Sequence, residues 1–384
     1  AQVAINYGLF CREIVFVGDL DRHDRRWIEE AIAHTAREIF AIKFQPDNPF
    51  LSDEVKGLAP AQRTNWSRAK VIFEGVELAT GASAWSAGEP GRHAVLSSGG
   101  KDSLLTTGLL REAGQDVHAI FVNESGRHWF TALNAYRHFK KNMPGTGRVW
   151  TDCDRIYTWL LRRLPFVRQD FARVRADIYP IRLWTVAVFL FGALPLMKKR
   201  GVDRLVIGDE FDTSTRVRHK GITHYDGLYD QSRWFDLALS RFFQRKGWRV
   251  HQFSLLRHLS ELLIEKILVE RYPALQEHQV SCHAAHKDEA SGRVLPCGRC
   301  EKCRRIVAML VAMGANPTDC GYDAEQVEQA PELFVEEADL RLVDAADVSG
   351  AAVIGVLVPH DPHAVERGQR RPRVPEGRRC PRST

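Results

Sequence analysis

Two glycines directly behind an apolar run constrain this chain more than any other feature. Ala94-Val95-Leu96 leads into Ser98-Gly99-Gly100-Lys101-Asp102-Ser103. A short strand, a glycine turn and a helix opening at Asp102 make a phosphate-binding arrangement. Glycine lets the backbone turn tightly and approach an anion with no Cβ in the way. The free N–H groups of the following helix then face that anion, and the helix dipole favours negative charge there. Lys101 adds a full positive charge, and the hydroxyls of Ser98 and Ser103 add neutral donors. The spacing is not that of a Walker A loop, G-x-x-x-x-G-K-S/T. An ordinary turn with an Asp or Ser helix cap is the plainer alternative. A predicted helix over 103–111, its stop at Gly114 and a predicted strand over 117–123 complete a βαβ unit around the motif.

At 384 residues the chain can bury a substantial core and form two domains. Residues 1–89 read as an α+β region, with strand-like runs at 13–17 and 71–73 and a helix over 24–39. The Gly-, Ala-, Ser- and Pro-bearing stretch 80–91 reads as a linker. From 92 to 255 strands and helices alternate. The predicted strands are 94–97, 117–123, 148–151, 204–208 and 250–253; the helices are 103–111, 129–140, 156–164 and 183–199. That alternation predicts an α/β fold with a doubly wound five-stranded parallel sheet, binding ligands at the carboxyl ends of its strands. Residues 256–315 read as helical around a cysteine cluster, and 316–384 as a C-terminal extension.

The formal charge of +6 invites a nucleic-acid reading until it is located. Residues 360–384 hold seven Arg against Asp361, Glu366 and Glu376, a net of +4, so the rest carries only +2. This Arg- and Pro-rich tail has no periodicity and reads as disordered, and a nucleic-acid partner is disfavoured. The most apolar run, 183–197, is shorter than the roughly 20 residues of a membrane span, so no membrane partner is expected. It reads as a helix buried against the sheet. With no secretory pattern at the start and a clustered set of thiols, a cytoplasmic, reduced chain is expected.

Cys282, Cys297, Cys300 and Cys303 stand as C-x14-C-x2-C-x2-C. Two intervening residues let neighbouring thiolates reach one ion, and four sulfurs satisfy tetrahedral Zn²⁺ with no open position for water. The site is therefore expected to be structural. Buried thiols without a metal, or an iron–sulfur cluster on the same ligands, are the alternatives. Arg304 and Arg305 follow, placed to offset negative charge at the sulfurs. Cys11, Cys153, Cys320 and Cys380 read as lone thiols.

Past the fourth strand come Gly208-Asp209-Glu210-Phe211-Asp212, carboxylates at a strand end that faces the same crevice as the glycine motif. An exposed acidic loop with Asp212 as a helix cap is the alternative. The segment 219–234 is dense in His, Tyr, Asp and Arg, and its length predicts a functional loop or lid. Within it His219 and His224 are candidate general bases or surface histidines.

Ser98-Gly99-Gly100-Lys101-Asp102-Ser103 matches SGGxDS and resembles the PP-loop of the N-type ATP pyrophosphatases. These enzymes split ATP between the α and β phosphates, releasing pyrophosphate and passing AMP to a substrate. The resemblance implies the adenine nucleotide alpha hydrolase-like fold, with ATP and Mg²⁺ as ligands. It implies that Ser98, Gly99, Gly100, Lys101, Asp102 and Ser103 bind the nucleotide. Gly208 and Asp209 would join them, and Asp209 or Asp212 would supply carboxylates to Mg²⁺. Lys101, Asp102 and Asp212 are the expected catalytic residues. Asn123 would lie where ribose or adenine edges are read. Arg182, in Pro180-Ile181-Arg182 ahead of the buried helix, would either aim at a phosphate or form a surface ion pair.

Together with the cysteine motif, these residues resemble two related families. One is the 7-cyano-7-deazaguanine synthases, which carry SGGxDS, Pro-x-Arg and C…CGxCxxC. The other is the UDP-N-acetylmuramoyl-L-alanyl-L-glutamate epimerases of peptidoglycan biosynthesis. Two features favour the second: a region of about 90 residues before the PP-loop, and Phe253-Ser254-Leu255-Leu256-Arg257-His258-Leu259-Ser260-Glu261-Leu262, similar to FSLLRPxSEL. The implied activity is adenylation of a small-molecule carboxylate followed by epimerisation. Amide- and nitrile-forming ligation and tRNA modification are the alternatives, and self-association is left open.

Overall fold

A computed structural model of the chain describes residues 3–56, 66–81, 85–124, 128–174, 185–219, 221–225, 228–282 and 284–329. Arg182, Ser125, Cys380 and the tail from 360 lie outside the described residues.

Two strands of the N-terminal region, β1 (Glu13–Val17) and β2 (Lys70–Glu74), pair in parallel. Between them helix α1 (Arg22–Glu38) begins at a capping box: Asp21 accepts from the Asp24 amide at 3.0 Å, and Asp24 accepts from the Asp21 amide at 3.1 Å. Ile28, Ala31, Ile32, Thr35 and Ala36 recur at helical spacing and form its buried face.

The central sheet has five strands: β3 (Arg92–Leu96), β4 (Asp116–Asn123), β5 (Gly147–Trp150), β6 (Arg204–Ile207) and β9 (His251–Ser254). Their order is β9-β6-β3-β4-β5 and every pairing is parallel. Between β6 and β9 an antiparallel hairpin, β7 (Arg216–His219) and β8 (Ile222–Tyr225), projects from the fold. Both faces of the sheet are covered, and the side chains alternate between them. Val95, Ala119, Phe121 and Val206 pack against α2 (Lys101–Glu112), α3 (His128–Asn142) and α7 (Glu261–Arg271). Ala94, Ile120 and Leu205 pack with α5 (Thr185–Lys199) and α6 (Arg233–Arg245) on the other face. This two-sided burial is why the strands read as continuous apolar runs. Among the described residues no helix is long and apolar enough to cross a membrane.

The N-terminal region does not keep its apolar residues to itself. Ile28, Ile32, Phe44 and Phe50 belong to the cluster that holds Leu205, Phe235 and Phe243. Polar ties reinforce this joint, with Lys246 Nζ 2.7 Å from Asp21 and 2.6 Å from Asp24. Residues 317–322 likewise join the cysteine region, where Cys320 and Tyr322 pack with Cys282 and Cys303. The expected boundaries near 89 and 315 therefore fall inside shared cores.

Candidate functional site

In this strand order the sheet grows outward in opposite directions from β3 and β6, so the loops leaving those two parallel strands open a crevice at their carboxyl ends. A cavity of about 950 Å³ lies there. Ser98, Gly100, Lys101, Asp102 and Ser103 line it from the first loop, and Gly208, Asp209 and Glu210 from the second.

Helix α2 opens at Lys101, one residue earlier than the sequence predicts, behind Gly100 in extended conformation and with no side chain capping it. Its first-turn amides have no intrahelical partners. Gly99 is required twice over: its φ is +82°, and a Cβ there would lie 2.6 Å from the Thr131 carbonyl oxygen. It braces the loop against α3 and is not among the cavity-lining residues. A Cβ on Gly208 would meet Asp102 Cβ at 2.7 Å, so this glycine lets the β6 loop close on the start of α2. Ser103 Oγ donates to the Gly100 carbonyl at 3.1 Å, fixing the turn. The Val280 amide donates to the Gly99 carbonyl at 3.1 Å, tying the loop to the segment that enters the cysteine region.

Lys101 is 5 % exposed and its Nζ lies among three carboxylates: Asp102 at 2.9 Å, Glu210 at 3.2 Å and Glu261 at 3.3 Å. Burial works against its charge, but Asp102, Glu210 and Glu261 outweigh it and hold the pKa above the ordinary lysine value. Glu261 is shared with Arg305, whose Nε is 3.1 Å away. Two cations thus face three carboxylates. Burial, reinforced by Asp102 and Glu261 against the pull of Lys101, pushes Glu210 up to about 8.

Beside Glu210, Asp209 is buried. Arg257 reaches it at 3.1 Å and Asp236 at 2.7 Å, and also donates to Thr213 Oγ1 and the Gln231 carbonyl at 3.0 and 2.7 Å. Burial raises the Asp209 pKa well above the carboxylate range, with Arg257 opposing it. Ser254, the last residue of β9, donates from Oγ to the Asp209 carbonyl at 2.6 Å, so neighbouring strands clamp this loop.

Several expected site residues sit elsewhere. Asp212 opens a short 3-10 turn, Asp212–Ser214, and the cavity lining passes from Glu210 to Thr213 without it. Asn123 is buried at the end of β4, its carbonyl accepting from the Thr151 amide at 2.9 Å, while its neighbours Val122 and Glu124 line the cavity. Among the described residues, the expected long loop at 219–234 holds the end of a hairpin, a short 3-10 turn, Tyr229–Gln231, and the first residues of α6, with Tyr225 packed against Tyr229 and Trp234. Among the described residues of this segment, Leu228 and Gln231 alone line the cavity. His224 Nδ1 lies 2.6 Å from the Tyr225 carbonyl oxygen, away from the cavity lining, and the His219 side chain lies outside the described residues.

Glu210 belongs to the acidic loop expected at the crevice, though Asp209 and Asp212 were favoured there, and Arg257 and Glu261 were not expected as site residues. Ser260 followed by Glu261 was the available signal: Ser260 caps α7 with its side chain, accepting from the Leu263 amide, and the next residue begins the helix at Lys101.

The four cysteines converge. The sulfurs of Cys282, Cys297, Cys300 and Cys303 all lie within 4.8 Å of one another and could hold a metal such as zinc. Cys300 is the N-cap of α8 (Glu301–Ala312), and Gly298 supplies the preceding turn at φ +71°. The Cys297 amide donates to Cys282 Sγ at 3.3 Å. Thiolates at a helix N-terminus gain from its dipole. Arg305 turns toward Glu261 and the cavity, not toward the sulfurs as expected. Lys302, Arg305 and Ile306, from the first turns of α8, all line the cavity. The cysteine centre therefore sets the helix that forms one of its walls.

Glu210 gives a pH prediction. Its folded pKa lies above its unfolded value, so the wild type loses stability as pH rises from about 4.5 to about 8. Relative to wild type, Glu210→Gln is expected to gain stability over that window, by at most about 1.4 kcal/mol per pH unit. Urea midpoints of the two proteins, measured at matched pH with metal bound, test this; a constant difference from pH 5 to pH 8 contradicts it.

Comparison with protein-family models gives no match, and no curated protein matches the chain.

Proposed function

We propose that the chain is an ATP pyrophosphatase of the PP-loop type that adenylates a small carboxylate substrate. One observation carries the reading: an uncapped helix start behind Gly99-Gly100, with Lys101 buried beside it, opens into a large cavity at the sheet's switch point. The cavity is wide enough for a nucleotide and a second substrate. In this reading the β- and γ-phosphates occupy the glycine loop, and Lys101 exchanges its carboxylate partners for phosphate oxygens. Asp102 and Glu210 suit Mg²⁺, a hard cation that takes one or two carboxylates and would screen the phosphate charge.

The carboxylate oxygen of the substrate attacks the α-phosphorus, and the bond from that phosphorus to the α,β-bridging oxygen breaks. Pyrophosphate leaves with its charge stabilised by the loop amides and Lys101. Arg257, locked between Asp209 and Asp236, keeps the β6 loop in position through this step.

Of the possible fates of that intermediate, epimerisation at the α-carbon is favoured. The FSLLRHLSEL segment delivers both Arg257 and Glu261 to the site, and the N-terminal region contributes to the cavity wall. Proton exchange at a substrate α-carbon in D₂O, dependent on ATP, tests this fate across a panel of glutamyl peptides. ATP- and ammonia-dependent conversion of a carboxy-deazaguanine in its place assigns the ligase reading. A shift of labelled tRNA at physiological salt with neither activity assigns the RNA-modifying one.

A further inference from the structure

We infer that Lys43 is a substrate-binding residue, its ammonium receiving a carboxylate group of the acceptor substrate; the inference rests on the adenylation reading for the identity of that anion. Lys43 and Lys101 line one cavity and differ in a telling way. Lys101 is ringed by carboxylates. Lys43 is 7 % exposed, and among the described residues its Nζ makes no ion pair and no side-chain hydrogen bond. A buried ammonium with no carboxylate within 4.0 Å is costly, and proteins normally pair it closely. Burial pushes its pKa down to about 8, with Glu38 pulling the other way. Glu38 is itself engaged, accepting from the Tyr229 amide.

The placement is also specific. Lys43 belongs to a π-helical turn, Ile39–Phe44, of sequence IFAIKF, in which it is the one charged residue. Ile39, Ala41 and Phe44 are buried, and Asn48 donates to the Lys43 carbonyl at 3.1 Å, so the backbone is fixed. Such turns are rare and recur at functional sites. The lysine comes from the N-terminal region, outside the βα loops proposed to hold the nucleotide. Tyr157 and Thr158 of helix α4 (Cys153–Leu161) line the same cavity, with Phe171 and Val174. This mixture of hydroxyl and apolar surface in the cavity that Lys43 also lines suits an organic carboxylate.

Thermal shifts of the metal-loaded full chain test the assignment, with N-acetyl-L-glutamate as carboxylate probe and Mg²⁺–ATP as a separate arm. The wild type is expected to melt higher with either ligand. Lys43→Met is expected to melt no lower than wild type when free, to keep the ATP shift and to lose the carboxylate shift. Trace acetylation followed by peptide mass spectrometry gives a second readout on the wild type alone. Lys43 labelling should fall about tenfold with probe at ten times its Kd. An absent carboxylate shift in the wild type, its survival in Lys43→Met, or unprotected Lys43 overturns the inference. Loss of the ATP shift instead assigns Lys43 to a phosphate and overturns it too. Should ATP shift neither protein, the nucleotide reading fails, while the probe arm still decides Lys43.

Discussion

Lys101→Met is expected to lower ATP cleavage by about 10²- to 10³-fold, the range for removing one pre-placed donor from a developing anion. The same change leaves Asp102, Glu210 and Glu261 without the cation they share. Breaking a buried pair from one side costs about 3–5 kcal/mol, so the variant should also unfold at lower urea. Protons can replace part of the lost charge on Glu210. The stability loss should therefore be smaller at pH 6 than at pH 8, which separates an electrostatic cause from a packing defect. Single-turnover cleavage and urea midpoints at both pH values measure the two effects. A variant with full activity, or with an equal stability loss at both pH values, contradicts the arrangement described around Nζ.

Cys303→Ser is expected to lose stoichiometric zinc and to unfold the 282–322 region. Structural zinc in small domains contributes about 10–16 kcal/mol of apparent binding energy at pH 7, and that energy is folding energy. Here the loss should spread to the cavity. Cys303 lies in the first turn of α8, beside Lys302 and Arg305, and Arg305 holds Glu261, which holds Lys101. The variant should therefore lose nucleotide-induced thermal stabilisation as well as metal. Elemental analysis, limited proteolysis and the ATP shift check the three parts. Iron with visible absorbance in the wild type would replace zinc; full metal content in Cys303→Ser would remove that cysteine from the ligand set.

The sheet was legible because its strands are buried on both faces, and continuous apolar runs such as 94–96 and 204–207 stand between polar breakers. Helix ends moved by one to three residues: α2 starts at Lys101 and α4 at Cys153, where capping and tertiary packing decide. The glycine turn before α2 and the convergence of the four cysteines were legible because residue spacing alone sets their local geometry. What sequence reasoning could not see is charge brought together from distant segments. Arg257 and Glu261 look like surface residues until the loop after β9 and the start of α7 bring them beside Asp209 and Lys101. Lys43 left a fainter signal, a single cation inside an apolar run. Asp212 was favoured as an acid at a strand end, yet the loop after β6 brings Glu210 to Lys101 and leaves Asp212 outside the cavity lining. The 219–234 segment read as a lid because polar, aromatic-rich stretches lack a clean period. Its aromatic residues instead pack a hairpin.

Identification of the nucleotide product tests the central claim most directly. The metal-loaded full chain is incubated with Mg²⁺–ATP and a panel of carboxylates, and the products are separated by chromatography. AMP and pyrophosphate are expected in equal amounts, dependent on a carboxylate and on Lys101. ADP and inorganic phosphate in their place would contradict that claim.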